Sequence, residues 1–202
     1  MKYIINEHQY KLLTEQEEEI LRVPFAAFGN DWDSLQNYLE RRGNPPYEIT
    51  DDLDLYRSKI KSLGNLTSVG GSLNLNIANI KSLGNLTSVG GDLNLRYSEI
   101  ESLGKLTSVG GSLYLDRSKI ESLGNLTSVG GHFNLEETKI KSLGNLTSVG
   151  GSLNLFNSKI ESFGNLISVG GSLNLYSTPL SRKYPSEEEI RSMVKVGGDV
   201  YL

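Results

Sequence analysis

Apolar residues in this chain fall on ranks twenty residues apart. Ile60, Leu63, Leu66, Val69, Leu73 and Leu75 of IKSLGNLTSVGGSLNL, residues 60–75, recur at 80–95, 120–135 and 140–155, and with substitutions at 100–115 and 160–175. The spacing of two between Leu73 and Leu75 predicts a short strand with both leucines inward and Ser72 and Asn74 outward. The spacing of three across Leu63, Leu66 and Val69 predicts a tight, turning return segment. Gly70-Gly71 separates the two parts, where a corner needs either positive φ or a close approach of backbones. One such coil leaves its apolar face half open, so each rank is buried only by the coils above and below it.

Repetition covers residues 51–180 as seven coils, and the flanks lack it. End coils would expose their leucines, so residues 1–50 and 181–202 are expected to be caps. In NDWDSLQNYLERRG, Trp32, Leu35, Tyr38 and Leu39 share one helical face, with Asn30 or Asp31 as N-cap and Gly43 after the last turn. Upstream, EHQYKLLTEQEEEILR, residues 7–22, reads as a charged helix whose acidic run is a solvated face. After Pro185, Ser186 and Glu189 have the spacing of a capping box opening a short helix through Met193. VKVGGDVYL then repeats the TSVGGSLNL pattern as a final strand, an exposed edge unless the helix or a partner covers it.

The consensus IxSLGNLTSVGGSLNLxxxxI resembles a leucine-rich repeat, and more closely the coils of receptor L domains. That resemblance implies a right-handed solenoid with a parallel β-sheet along one side and a bias toward protein recognition with no particular ligand; the N-terminal cap is expected to be α-helical from its own residues. The coils are short, the usual asparagine after the strand is missing, and no cysteine-rich module follows. The regular repeats and the opening MKYIINEHQYKLLTEQ resemble phage-encoded proteins. LLTE, Leu12 to Glu15, is similar to the apolar-x-Glu sites cut by prohead proteases, which implies a removable tag; an ordinary capping helix is the alternative.

Composition narrows the chemistry. The chain carries a formal charge of −4 and lacks the basic footprint that holds nucleic acid. It has no cysteine, hence no disulfide or thiolate metal site. The opening segment is interrupted by Lys2, Glu7, His8 and Lys11, so neither a signal peptide nor a membrane span is expected. Asn-Leu-Thr at Asn65, Asn85, Asn125 and Asn145 would place sugars awkwardly on stacked coils. We therefore expect a cytoplasmic protein of a bacterium or a phage-infected cell, or a virion protein. Of its two histidines, His8 lies in a polar segment and His132 replaces the outward serine of other coils. Asp51, Asp52 and Asp54 lack the glycine and distal glutamate of a calcium loop, and Ser58-Lys59-Ile60-Lys61 lacks the context of a serine nucleophile. No enzyme, metal or cofactor is expected.

Two ranks differ from coil to coil. Positions 56 to 176 read Tyr, Asn, Arg, Asp, Glu, Phe, Tyr, and positions 57 to 177 read Arg, Ile, Tyr, Arg, Glu, Asn, Ser, whereas the Thr67 rank stays threonine until Ile167. A constant scaffold with a diversified edge is how a repeat protein builds a specific surface. Expected partner-binding residues are Tyr56, Arg96, Tyr97, Tyr114, Asp116, Arg117, Glu136, Glu137, Phe156 and Tyr176, with Asp92 and the other acids giving a local negative field for a basic protein partner. A phage-encoded antagonist of a host protein, such as a defence protein, fits this pattern. A virion structural component and an ice- or surface-binding solenoid built on the threonine rank are the alternatives. The Asn65 and Asn74 ranks are expected to be amide ladders along the axis.

Overall fold

The computed structural model describes residues 20–202. It is a parallel β-solenoid, in which each twenty-residue step in sequence is one step along the axis, Leu73 pairing with Leu93 and Val69 with Val89. Leucines, isoleucines and valines of the six ranks form one continuous buried core.

Strands of two residues suffice because each, apart from those at the sheet ends, is paired on both sides. An eight-stranded parallel sheet runs from Leu53–Asp54 through Leu73–Asn74 and its repeats to Val200–Tyr201. This is the sheet expected from the period of two. The return segment, expected as a turn, carries a second sheet of nine strands, from Leu21–Val23 and Tyr47–Ile49 through Leu66–Val69 and the Ser-Val pairs to Lys195–Val196. A spacing of three places Leu66 and Val69 both inward across a short extended piece, and cross-coil bonds such as Thr87 N to Thr67 O, 2.8 Å, keep it straight enough to pair. Isolated bridges, Ser82 with Ser102 and Ser142 with Ser162, join the third side.

At the corners between the sheets, the glycine pair answers to close approach. A Cβ at Gly90 would stand 2.2 Å from the Gly70 carbonyl oxygen, and at Gly130 2.1 Å from that of Gly110. Positive φ falls elsewhere, on the glycines from Gly64 (+60°) to Gly164 (+58°).

One polar rank faces inward. Ser98, Ser118, Thr138, Ser158 and Thr178 are buried, and Ser118 Oγ donates to the Leu115 carbonyl at 2.6 Å. A short hydroxyl that bonds its own backbone, as those of Ser98, Thr138 and Thr178 also do, can occupy an inward position without an unmet donor; the Ser158 hydroxyl makes no such bond.

Helix α1, Trp32–Glu40, seals the first coil with Leu35 and Leu39 buried; Asp31 is its N-cap, accepting from Ser34 N at 2.8 Å, and Gly43 follows at φ +76°. Leu21 and Arg22, assigned to a helix from sequence, lie instead in the strand paired with Tyr47–Ile49. Residues 7–19 of that expected helix, with His8 and the Leu12–Glu15 motif, lie outside the described residues. At the other end, helix α2, Pro179–Lys183, opens on the Thr178 cap, and α3, Glu187–Met193, carries the expected Ser186–Glu189 capping box. No helix among the described residues is long and apolar enough to cross a membrane.

Candidate functional site

The variable ranks follow the eight-stranded sheet, and the residue before them sets their geometry. Asn74 Oδ1 accepts from Asn76 N at 3.2 Å, Asn94 does the same for Arg96 N, and Asn154 for Phe156 N at 3.1 Å. This rank is thus not the axial ladder expected of it; the amide oxygen closes a turn two residues on within its own coil. The residue three positions on lies in the left-handed region in every coil, including the one where Tyr114 replaces the asparagine. Arg57, Ile77, Tyr97, Arg117, Glu137, Asn157 and Ser177 all have φ between +53° and +61°.

The two variable ranks differ in exposure. Residues 57 to 177 are exposed in every coil, whereas Asn76, Arg96, Asp116, Glu136 and Phe156 are half-buried. Tyr56, Tyr97 and Tyr176 stand nearly half exposed. The outer rank is the more exposed of the two.

Its central part is tied together across coils. Arg117 Nη1 donates to Tyr97 Oη at 2.7 Å and Nε to Glu137 Oε2 at 3.0 Å. The carboxylate and phenol hold the guanidinium's pKa above its ordinary value, with the Glu137 bond the larger cause. Arg96 Nε donates to Asp116 Oδ1 at 2.9 Å while its guanidinium lies 4.0 Å from the centre of the Tyr114 ring. Asn134 Nδ2 and Asn154 Nδ2 donate to Asp116 and Glu136 at 3.1 and 3.2 Å. Asp116 and Glu137 therefore face arginines, and the negative field expected of them is largely cancelled by Arg96 and Arg117. Tyr201, missed in the sequence reading, continues the edge: its ring centre lies 6.1 Å from that of Tyr176. The repeat of DVYL on the SLNL pattern was the signal that could have found it. Exposed Ile77 was missed too, because an aliphatic side chain was not weighed as an anchor.

Constant ranks have local explanations. Each threonine hydroxyl donates to the previous coil, Thr87 Oγ1 to Thr67 O and Thr107 Oγ1 to Thr87 O, both 2.9 Å. Constancy there is a ladder requirement, so contrast with the threonine rank does not by itself mark a binding edge. The Asn65 ladder is partial: Asn85 Nδ2 reaches Asn65 Oδ1 at 3.4 Å, and Lys105 Nζ reaches Asn85 Oδ1 at 2.8 Å. A groove of about 850 Å³ runs along the nine-stranded sheet, lined by the Ser68, Val69 and Gly70 ranks.

Of the described polar residues considered for chemistry, Asp51, Asp52, Asp54 and His132 have structural partners, and the Ser58 hydroxyl is buried with none. Asp51 accepts from Phe25 N and Ala26 N, Asp52 from Ser72 N, and Asp54 from Tyr56 N. His132 Nδ1 accepts from Ser152 N at 3.0 Å. Among the described residues no group of three or more His, Cys, Asp or Glu side chains is placed to hold a metal ion. Comparison with protein-family models, with curated proteins and with solved structures finds no match to this chain.

Proposed function

We propose that the chain is a non-enzymatic protein-binding module that presents the edge from Tyr56 and Arg57 to Tyr176 and Ser177 to a protein partner. One observation carries this reading. Each coil has two left-handed positions; the first is glycine from Gly64 to Gly164, and the second holds Arg, Ile, Tyr, Arg, Glu, Asn and Ser. A left-handed conformation costs an ordinary L-residue about 1–2 kcal/mol. A chain selected for its scaffold alone would use glycine or asparagine at both positions, as it does at the first. Side chains kept at that cost, exposed, and varied along the solenoid, with only arginine recurring, suit recognition of a partner with its own pattern.

Cross-coil bonds of Tyr97, Arg117 and Glu137 fix side chains that would otherwise lose rotamer freedom on binding. From the first to the last of seven coils there are six steps of about 4.8 Å, a span of about 29 Å, enough for one side of a standard interface of roughly 800 Å². The resemblance to phage-encoded proteins makes the partner a host protein, such as a defence protein, that the module antagonises.

Affinity capture from the source cell, followed by measured dissociation constants for the captured protein, tests the reading. Tyr176→Ala with Tyr201→Ala should weaken binding by roughly thirtyfold, the equivalent of about 2 kcal/mol, with little change in melting temperature. Lys141→Ala with Glu161→Ala, both exposed on the third side, should leave it unchanged. The reverse pattern would place the interface elsewhere. Stoichiometric presence in purified particles would favour a virion component instead.

A further inference from the structure

The charges along the candidate edge divide by sign into paired and unpaired. Residues 56 to 156, 57 to 157 and 59 to 159 form one strip of exposed or half-buried ranks. Each of its four carboxylates has a cation from an adjacent coil: Glu99 meets Lys119, Asp116 lies 2.9 Å from Arg96, and Glu136 and Glu137 lie 3.8 and 3.0 Å from Arg117. Its seven cations are in excess, although the whole chain carries a formal charge of −4. Arg57, Lys59, Lys139 and Lys159 are exposed, and none of them meets a carboxylate among the described residues. Asp54, on the adjoining strand, accepts from Tyr56 N at 3.0 Å. One rank further round, Lys61, Lys81 and Lys141 balance Glu101, Glu121 and Glu161, so the excess is not cancelled from there.

Apolar surface gathers on the same edge. Of the eight large aromatic or aliphatic side chains exposed among the described residues, five stand on or against it, so most of this surface's apolar anchoring is here. They form two groups: Tyr56, Ile77 and Tyr97 in the first three coils, and Tyr176 with Tyr201 at the last. The ion-paired Arg117 and Glu137 lie between them. From the third coil to the seventh there are four steps, a separation of about 19 Å. Each group has unpaired cations beside it, Arg57 and Lys59 at the first and Lys159, one coil from Tyr176, at the second.

Building on the protein-binding edge proposed above, we propose that its partner is an acidic protein surface, carrying carboxylates beside two apolar anchors. The aromatic groups supply affinity, and complementary charge supplies selectivity and encounter rate. Charges already paired add little: Arg117 would have to give up Glu137 to take another carboxylate. Lys139 and Lys159 give up only water, so a carboxylate is attracted there and a lysine or arginine repelled. The acids alone, Asp92, Asp116, Glu136 and Glu137, suggest a basic partner. Three of them are held by arginines, and Asp92 accepts from Ser112 N, which leaves the lysines to set the sign. Nucleic acid fits less well, because its phosphates would have to pass Glu136 and Glu137 in the middle of the strip.

Fluorescence anisotropy of the full chain with labelled poly(Glu,Tyr), a copolymer of carboxylates and aromatic rings, tests this against poly(Lys,Tyr) and oligo(dT). Poly(Glu,Tyr) should bind best and weaken roughly fivefold between about 50 and about 300 mM salt. Lys139→Glu with Lys159→Glu, both exposed, should weaken it by roughly tenfold at low salt without changing the melting temperature. Lys105→Glu with Lys195→Glu makes the same change of net charge away from the edge and should leave binding within about twofold. Absent binding of poly(Glu,Tyr), tighter binding of either rival, or equal loss in the two charge-reversed pairs would overturn the acidic partner. The edge itself is tested separately, with the captured partner and Tyr176→Ala with Tyr201→Ala. Loss there without loss in Lys139→Glu with Lys159→Glu would overturn the acidic chemistry and leave the edge standing; no loss in either would overturn both.

Discussion

Ser177→Gly should stabilise this chain and Gly144→Ala should destabilise it, although both exchange one small exposed residue for another. Both positions have positive φ, +61° at Ser177 and +57° at Gly144. Relief of the left-handed conformation is worth about 1–2 kcal/mol. The greater freedom of glycine in the unfolded chain offsets about 0.5–1 kcal/mol of it. Ser177→Gly is thus expected to gain about 0.5–1 kcal/mol and Gly144→Ala to lose about as much, since a Cβ at Gly144 would meet nothing within 4 Å. Gly124→Ala should cost more, because its Cβ would stand 2.5 Å from the Gly104 carbonyl oxygen and the backbone would have to shift. Urea midpoints followed by circular dichroism resolve these differences, and melting should move by roughly 1–4 °C. A neutral or destabilising Ser177→Gly beside a destabilising Gly144→Ala would mean that the edge carries no conformational cost, and the main support for a binding edge would go with it.

Leu123→Ala, in a middle coil, should cost about 2–5 kcal/mol in denaturant unfolding because no neighbouring coil can move in to fill the space. Ser118→Ala should cost roughly 1 kcal/mol, the worth of its buried bond to Leu115 O; equal losses at the two sites would contradict the assignment of the core. Tyr47 is buried and donates to Leu63 O at 2.9 Å, and burial, partly offset by Gln36, pushes its phenol up to about 12. An unfolded tyrosine ionises near 10, so between about 10 and 12 the unfolded state holds fewer protons and stability falls as pH rises. Unfolding titrations should show this slope, worth up to about 3 kcal/mol at its end, and Tyr47→Phe should lack it while being less stable at neutral pH.

Ranks set by burial were legible in the sequence, and ranks set by hydrogen bonds were not. Leu63, Leu66, Val69, Leu73 and Leu75 are buried as their spacing required, and the Ser186–Glu189 cap is a local pattern with one geometry. The second sheet was not legible, since extended pairing over two residues leaves no alternation to read. Nor was the inward Ser118 rank, because a hydroxyl satisfied by its own backbone has the same letter as one facing water. The candidate edge was read from variation, yet its left-handed backbone was hidden: Arg57, Ile77 and Tyr97 are not residues that announce positive φ.

Variation alone is a weak sign of recognition, and the rank that begins at Asp52 shows why. It reads Asp, Ser, Asp, Ser, His, Ser, Ser from 52 to 172, so it also changes from coil to coil. Yet each member does one thing, accepting from the next coil's backbone: Asp52 from Ser72 N, Ser72 from Asp92 N, Asp92 from Ser112 N, Ser112 from His132 N, and His132 from Ser152 N. Any short acceptor suffices, so the rank drifts within a chemical class. His132→Ser should therefore be nearly neutral, since Ser152 in the next coil already makes that bond to Ser172 N at 3.1 Å. His132→Val, which removes the acceptor, should cost about 0.5–1.5 kcal/mol and speed hydrogen exchange at the Ser152 amide. If the serine variant loses as much as the valine variant, the imidazole does more than accept, and His132 would join the edge residues as a side chain kept for its own chemistry.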